Sequence, residues 1–281
     1  MFWKKRYSEL LSSIFFLSMI IIVFIFEVFV IRPYLLESNV SNFVTLHLFM
    51  AIVLLTNTCL NLYLVVHTDT SIIGMVMPSI TPLPPQWHYC YACESNTPPR
   101  SFHCKTCNRC ILRRDHHCVF TSCCIGYKNY KYFMGLLFNV GFACTYATIM
   151  HWHYIWLNIN HLGLWAIAAH SVPLGFYLLG MIDLWTTCCN IISMLCIVGA
   201  IFASGLFIYH FNLLRMNRTT YERAKSIADY DLSDWRRNLS ETLGDRWLLS
   251  IFLCPLIKSS LPGDGVHFQT KQEKYLQNKQ I

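Results

Sequence analysis

A cysteine- and histidine-rich segment, residues 90–124, matches itself at an offset of fourteen residues. Both copies have the spacing C-x2-C-x9-H-x6-C, and the copies overlap. Three cysteines and one histidine at such spacings are typical of a tetrahedral structural zinc site with a closed coordination shell. The sequence therefore predicts two interleaved zinc ions. The predicted ligands are Cys90, Cys93, His103 and Cys110 for one ion, and Cys104, Cys107, His117 and Cys124 for the other.

The repeat leaves one cysteine of this segment, Cys118, beside two residues that also lack a metal assignment. Cys118 coincides with Cys104 under the offset, but both sets of four ligands are complete without it. The free residues Asp115 and His116 precede it, so an aspartate, a histidine and a cysteine lie within four residues. Such a group has the parts of an activated nucleophile, in which histidine acts on the thiol and aspartate orients the histidine. The alternative is that Cys118 is a ligand with slippage elsewhere in the pattern, and it is disfavoured because the offset accounts for all eight ligands without Cys118.

The composition predicts a multi-pass α-helical membrane protein. Hydrophobic residues make up 54% of the 281 residues, charged residues make up 13%, and the mean hydropathy is +0.39, which excludes an ordinary soluble domain. Apolar stretches predict about four transmembrane helices. They cover residues 10–30, 43–66, 133–155 and 191–214, with the zinc module between helices 2 and 3. Whether the apolar segment 162–183 crosses the membrane or only enters it stays open, because Pro173 interrupts it.

Positive charge predicts the orientation of the chain. Lysine and arginine cluster before residue 10, between residues 100 and 131, and after residue 215. Cytosolic segments of membrane proteins are enriched in these residues, so all three regions should be cytosolic. The predicted divisions are a cytosolic N-terminus 1–9, spans in 10–66, a cytosolic zinc domain 67–132, spans in 133–214 and a cytosolic C-terminal region 215–281.

A few polar residues fall within or near the apolar stretches. Glu27 lies near the far end of the first stretch and is expected to reach solvent at the interface, and His151 and His153 are expected to be interfacial. On this interpretation no span carries paired ionisable groups of opposite sign, which disfavours a transporter.

The segment around Asp115-His116-His117-Cys118 resembles the cysteine-rich domain of DHHC-type protein S-acyltransferases, or palmitoyltransferases. The resemblance covers residues 90–133 and includes Asn129 and Phe133. Residues 219–222, Thr-Thr-Tyr-Glu, are similar to the family's Thr-Thr-x-Glu motif, and residues 230–244 resemble its C-terminal helical element. The short tail is similar to that of the smaller members of the family.

This resemblance implies transfer of a fatty acyl group from acyl-CoA to a protein cysteine, with Cys118 as the covalent carrier. His116 and Asp115 would complete the catalytic group. Thr219, Thr220 and Glu222 would pack against the catalytic loop, with Thr220 near Asp115. The implied cofactors are two structural zinc ions, with palmitoyl-CoA as co-substrate. The expected partners are the lipid bilayer and membrane-associated proteins with cytosolic cysteines, with no nucleic acid. The expected location is the endomembrane system, ER or Golgi, with the active site facing the cytosol.

Four cations beside the module have two possible roles. They are Arg113, Arg114, Lys128 and Lys131. They could receive the phosphates of acyl-CoA, or they could attract anionic lipid headgroups at the membrane surface. The sequence favours neither role over the other.

The sequence departs from the family directly after Cys118. The usual Pro-Trp-x-Asn-Asn-Cys is replaced by Val-Phe-Thr-Ser-Cys-Cys at residues 119–124. No member of the catalytic group is missing, and the offset selects Cys124 as the ligand and leaves Cys123 free. The altered residues are the reason for an alternative function, a zinc-stabilised membrane scaffold with little or no catalytic activity.

Overall fold

Four long apolar helices dominate the structure, a computed structural model that describes residues 2–37, 41–78, 82–159 and 163–279. Within those residues, four helices are long and apolar enough to cross a bilayer. They cover Tyr7–Glu37, Phe43–His67, Tyr130–Leu157 and Leu184–Arg215. The predicted number of candidate spans therefore agrees with the structure.

The helices alternate with irregular and π-helical segments. In chain order they are α1 (Phe2–Phe26), α2 (Arg32–Glu37), α3 (Ser41–His67), α4 (Tyr130–His151), α5 (Leu164–Ser171), α6 (Pro173–Leu178), α7 (Leu184–Arg215), α8 (Thr220–Ala224), α9 (Trp235–Leu243), α10 (Trp247–Phe252) and α11 (Lys271–Lys279). A π-helical segment, Glu27–Ile31, joins α1 to α2, and a second, Trp152–Ile159, follows α4.

The apolar segment 162–183 forms two short helices, and its first residue lies outside the described part of the chain. Helix α5 has 8 residues and α6 has 6, with Pro173 in the first turn of α6. At about 1.5 Å per residue they extend roughly 12 Å and 9 Å, well short of a hydrocarbon core of about 30 Å. Neither helix can cross a bilayer alone.

Three β-hairpins form the module between α3 and α4. Their strands are β1 (His88–Cys90), β2 (Ser95–Thr97), β3 (Phe102–Cys104), β4 (Arg109–Ile111), β5 (His116–Cys118) and β6 (Cys123–Ile125). Each hairpin is a separate antiparallel pair in the same register, and each begins fourteen residues after the one before. The turn residues Glu94, Asn108 and Ser122 have φ angles of 48°, 51° and 50°. The fourteen-residue repeat therefore has three structural copies, although only two are visible in the ligand pattern.

The chain divides into two compact units. One contains Met1–Phe15, Cys59–Leu136 and Phe207–Ile281, and therefore holds the three hairpins and the C-terminal region. Part of its core is formed by Ile72, Leu112, Tyr127 and Val266 around two of the module's cysteines, Cys90 and Cys110. The other unit contains Phe16–Thr58 and Leu137–Leu206.

The second unit contains a buried polar cluster that corrects three sequence predictions. Glu27 is 4% exposed and its carboxylate lies 2.8 Å from Nε2 of His151 and 3.4 Å from Nε2 of His47. Glu27 is therefore not a solvated boundary residue, and His151, which is fully buried, is not interfacial. The prediction that no span carries paired ionisable groups is also wrong. An unpaired carboxylate is costly in an apolar environment, and here two histidines from other helices lie within ion-pair distance of it.

Candidate active site and metal centres

The eight predicted metal ligands form two separate clusters. Within each cluster the ligand atoms all lie within 4.8 Å of one another. In the first cluster Cys93 Sγ is 3.2 Å from His103 Nδ1. In the second, Cys107 Sγ is 3.3 Å from His117 Nδ1, and the sulfurs of Cys104 and Cys124 are each 3.6 Å from that nitrogen.

These distances fit a tetrahedral zinc ion. Bonds of about 2.3 Å to sulfur and about 2.0–2.1 Å to nitrogen would separate the ligand atoms by roughly 3.5–3.8 Å. The sulfurs of Cys107 and Cys124 are 3.6 Å apart, much longer than a disulfide bond. All fourteen cysteines lie in the described residues, and none forms a disulfide. The donor set of three sulfurs and one imidazole nitrogen suits zinc in both clusters.

Cys118 belongs to neither cluster and occupies the first cysteine position of the third hairpin. In the second hairpin the backbone N–H of Cys107 donates to Cys104 Sγ at 3.4 Å. In the third, the backbone N–H and the side chain of Thr121 both hydrogen-bond to Cys118. Thr121 thus replaces the second cysteine of the C-x2-C pair. The third hairpin keeps the shape of a metal-binding turn but lacks its ligands.

Asp115, His116 and Cys118 form a connected hydrogen-bonded group. His116 Nδ1 donates to Asp115 Oδ2 at 2.8 Å, and the imidazole also hydrogen-bonds to Cys118. Burial opposes charge on all three groups. Nevertheless the hydrogen bonds and charges of Asp115 and Cys118 raise the pKa of His116 to about 9. The hydrogen bonds from His116 and Thr121 lower the pKa of Cys118, and His116 lowers the pKa of Asp115. The arrangement favours a thiolate paired with an imidazolium.

Asp115 is held in place by the residue that the resemblance placed beside it. The backbone N–H of Thr220 donates to Asp115 Oδ1 at 3.0 Å, and its hydroxyl donates to Oδ2 at 2.9 Å. Tyr130 adds a longer hydrogen bond of 3.4 Å to Oδ1. The carboxylate therefore has few orientations available, and it presents Oδ2 to His116.

His210, on α7, was not singled out in the sequence. Its Nδ1 lies 2.8 Å from the hydroxyl of Tyr130 and 3.9 Å from Asp115 Oδ2. Asp115, His116 and His210 place three possible ligand atoms within 4.8 Å. Because the carboxylate oxygens are already occupied by hydrogen bonds, we interpret this group as a hydrogen-bond network. The available signal was a histidine in an apolar stretch that lacks lysine and arginine, since such residues are commonly functional.

Thr219 and Glu222 shape the turn that presents Thr220. The hydroxyl of Thr219 accepts from the backbone N–H of Glu222 at 3.2 Å, and the Glu222 carboxylate accepts from the backbone N–H of Thr219 at 2.8 Å. This capping box begins α8. The same carboxylate receives two hydrogen bonds from buried Arg100, at 2.7 Å and 2.8 Å. The sequence did not identify Arg100, which ties the motif to the chain just before β3.

The four predicted phosphate-binding cations have different environments. Arg113 is fully buried and donates to Asn217 at 3.2 Å, so it is not accessible to an external phosphate and we drop it from that group. Lys131 is partly exposed and donates to the carbonyl of Ser259 at 2.7 Å. Arg114 and Lys128 are also partly exposed.

The altered segment after Cys118 is held by the hairpin and by its neighbours. Val119 and Phe120 are exposed. Cys123 Sγ donates to Thr121 Oγ1 at 3.4 Å and to the carbonyl of Val65 at 3.7 Å, and it belongs to neither metal cluster. Burial, with the nearby Cys118 and Cys107, raises the pKa of Cys123 to about 11. Cys123 is thus a much poorer nucleophile than Cys118.

Comparison with known proteins agrees with this geometry. The model of the DHHC palmitoyltransferase family matches residues 84–227, which contain all three hairpins and the Thr-Thr-x-Glu motif. The probable palmitoyltransferase ZDHHC24 of Danio rerio is 35% identical over 225 residues, which cover 80% of this chain and 75% of that protein. Human probable palmitoyltransferase ZDHHC24 is also 35% identical, over 226 residues, 80% of this chain and 78% of that protein. Mouse palmitoyltransferase ZDHHC22 is 24% identical over 275 residues, 88% and 93% of the two chains. The chain therefore belongs to the DHHC palmitoyltransferase family.

Proposed function

We propose that this protein is a protein-cysteine S-palmitoyltransferase that works through a thioester on Cys118. The single observation that carries the proposal is the hydrogen-bonded group of Asp115, His116 and Cys118. A positioned imidazole beside a thiol of lowered pKa is the arrangement that nucleophilic catalysis by cysteine requires.

In the first step, the Cys118 thiolate attacks the thioester carbonyl carbon of acyl-CoA. A bond forms between that carbon and Sγ, and the bond from the carbon to the CoA sulfur breaks. The CoA thiolate leaves and takes a proton from the His116 imidazolium. The products are an acyl-enzyme and free CoA, and His116 is left neutral, ready to accept a proton.

In the second step, the thiol of a substrate protein loses its proton to His116 and attacks the thioester on Cys118. The acyl group moves to the substrate sulfur, and the Cys118 thiolate is restored beside a protonated His116. Because the acyl group rests on the enzyme between two half-reactions, the kinetics should be ping-pong.

Zinc would have a structural role in this mechanism. The three cysteines and one histidine of each cluster would close the coordination shell, and so no position would remain to polarise a carbonyl. The residues next to the second cluster show what this would achieve. His117 is a predicted ligand, and His116 and Cys118 flank it in β5. A metal at His117 would therefore fix the strand that carries both catalytic residues.

The position of Cys118 suits a substrate that is partly lipid. In the same hairpin, Cys123 contacts the carbonyl of Val65 near the end of α3, and Asn129 Nδ2 donates to that carbonyl at 3.1 Å. The thiol thus lies close to the end of a candidate span, where an acyl chain can remain in the bilayer. We propose that this end is cytosolic, as the distribution of basic residues predicts, and that the protein resides in the membranes of the ER or Golgi.

The proposed substrates are fatty acyl-CoA and membrane-associated proteins with cytosolic cysteines. Arg114, Lys128 and Lys131 remain the proposed contacts for CoA phosphates, since all three are partly exposed. The same cations could instead face anionic headgroups. Raised inorganic phosphate and ionic strength should weaken the contacts of these cations with either partner. In neutral detergent, however, the KM for acyl-CoA should change only if the cations bind the phosphates of CoA.

The test is direct labelling of the purified chain. Incubation with palmitoyl-CoA carrying a labelled acyl group should place the label on the protein, and hydroxylamine should remove it, because thioesters react with hydroxylamine. The Cys118→Ala variant should not be labelled in this way. A wild-type chain that holds its metal but takes up no label would support the scaffold alternative and contradict the proposal.

A further inference from the structure

We infer that Glu9, on the first apolar helix, is a positioning residue for the predicted zinc ligand His117. His117 directs Nδ1 toward the three sulfurs of its cluster, at 3.3–3.6 Å. Its other ring nitrogen, Nε2, lies 3.3 Å from the Glu9 carboxylate. Glu9 is 7% exposed, so the carboxylate faces the protein and not the surrounding medium. Glu9 lies outside the family match, which begins at residue 84.

This geometry has a clear physical reason. A histidine that binds zinc through Nδ1 is neutral and carries its proton on Nε2. A carboxylate that accepts this proton fixes the ring orientation and makes the ligand nitrogen more basic, and such partners are common around metal-binding histidines. Nε2 of His117 is completely buried and, among the described residues, forms no hydrogen bond as it stands, and the Glu9 carboxylate lies 3.3 Å from it. The inferred hydrogen bond would also satisfy Glu9, whose burial without a partner would be costly.

Hydrogen bonds close to Glu9 attach the N-terminal part of α1 to the altered segment, residues 119–124. Ser122 Oγ donates to the backbone carbonyl of Glu9 at 3.2 Å and lies 2.8 Å from Ser13 Oγ. Ser13 Oγ also donates to the carbonyl of Phe120 at 3.0 Å. The segment that departs from the family is therefore held by the helix that carries Glu9. This gives Glu9 a fixed position relative to His117.

The first cluster lacks this feature. In the described part of the chain no carboxylate forms an ion pair with His103, the equivalent ligand. Removing the Glu9 carboxylate should therefore weaken one zinc site and leave the other unchanged. A general loss of stability would affect both.

The test rests on the proposed zinc content and is independent of acyl transfer. Purified full-length chain in detergent is mixed with an excess of a chromophoric zinc chelator, and the release of each zinc equivalent is followed. Losing such a partner usually lowers metal affinity about 10- to 100-fold, so in Glu9→Ala we expect one equivalent to leave faster than in the wild type by about the same factor. Glu9→Gln, which keeps an acceptor oxygen but loses the charge, should lie between them.

Glu27→Gln is the matched control, because Glu27 is a second buried glutamate in the same candidate span and contacts other histidines. Its zinc release should equal that of the wild type. Unchanged release in the Glu9 variants, or equal acceleration of both equivalents, would overturn the inference. If Glu9→Ala does not fold, Glu9→Gln decides by the same criteria. A wild-type chain with fewer than two zinc ions would instead contradict the zinc assignment itself.

Discussion

The second and third hairpins have the same backbone but different chemistry. In both, the first strand ends in a cysteine, Cys104 or Cys118, paired across the hairpin with the residue five positions later. In both, that sulfur accepts the backbone N–H of the residue three positions on. That residue is Cys107 in the second hairpin and Thr121 in the third. Cys104 is thereby a predicted metal ligand, and Cys118 is the proposed nucleophile.

This difference shows what the turn contributes and what it does not. The turn brings backbone N–H donors to a sulfur, which favours a thiolate with or without a metal. A metal needs further sulfur or nitrogen ligands, and a threonine hydroxyl at position 121 does not supply one. In the third hairpin His116 hydrogen-bonds to Cys118 in place of such ligands, so on the proposed mechanism the thiolate would be stabilised but still able to react.

The largest effect is expected from removing a ligand of the second hairpin. Cys104→Ser should lose one of two zinc ions and unfold the module, because structural zinc contributes on the order of 10 kcal/mol in small zinc domains. Elemental analysis and thermal unfolding measure both losses. Retention of two zinc ions and wild-type stability would show that Cys104 is not a ligand.

Substitution of His116 should slow the chemistry and leave the metal bound. His116→Ala removes the imidazole that faces Cys118, and a positioned acid or base commonly contributes about 10²- to 10⁴-fold. The rate of acyl-enzyme formation is the measurement. His267→Ala is a matched control, because His267 forms a similar pair with Asp264 at 2.9 Å but is exposed. Equal rates in the two variants would contradict the role of His116.

A smaller effect is expected from loosening Asp115. Thr220→Val removes the hydroxyl that donates to the carboxylate. A hydrogen bond to a charged group contributes about 1.5–3 kcal/mol, equivalent to roughly 10- to 100-fold in rate if it is lost from the transition state. Thr145→Val removes a hydroxyl in the other unit that donates to the backbone carbonyl of Gly141, one turn earlier in the same helix, at 2.8 Å, and it should change little. Acyl-enzyme formation at wild-type rate in Thr220→Val would show that Asp115 needs no such support.

The smallest effect is expected at Cys123, the cross-strand partner of Cys118. Burial raises its pKa to about 11, so the thiol is protonated at neutral pH. Cys123 also belongs to neither metal cluster. Cys123→Ser should keep both zinc ions and nearly all of the labelling. A large loss of labelling would mean that the third hairpin uses Cys123, and that its likeness to the second hairpin had assigned the wrong thiol.

Short-range spacing explains why the sequence predicted part of this site. The eight clustered residues follow one fixed offset, and Cys118 emerges as the cysteine that the offset does not need. The third hairpin was hidden, because Cys118 repeats Cys104 but Thr121 stands where the second cysteine of the pair would be. Resemblance to the family located Thr220 and implied that it lies near Asp115, and the structure adds the individual hydrogen bonds between them.

Contacts across long stretches of chain could not be predicted. Glu9 meets His117, Arg100 meets Glu222, and His210 approaches Asp115, each across about a hundred residues. Which face of an apolar helix turns inward depends on packing, and hydropathy does not report it. The same reason explains why Glu27 was predicted to be solvated although it is buried.

The most direct test of the central claim combines acyl mapping with a metal count on a single variant. Native mass spectrometry of wild type and Cys118→Ser, each after incubation with palmitoyl-CoA, reports both the acyl adduct and the number of zinc ions. The account predicts two zinc ions in both proteins, one acyl adduct located on Cys118 in the wild type, and no adduct in the variant. Loss of a zinc ion from Cys118→Ser would contradict the account, because the third hairpin would then hold metal as the second does.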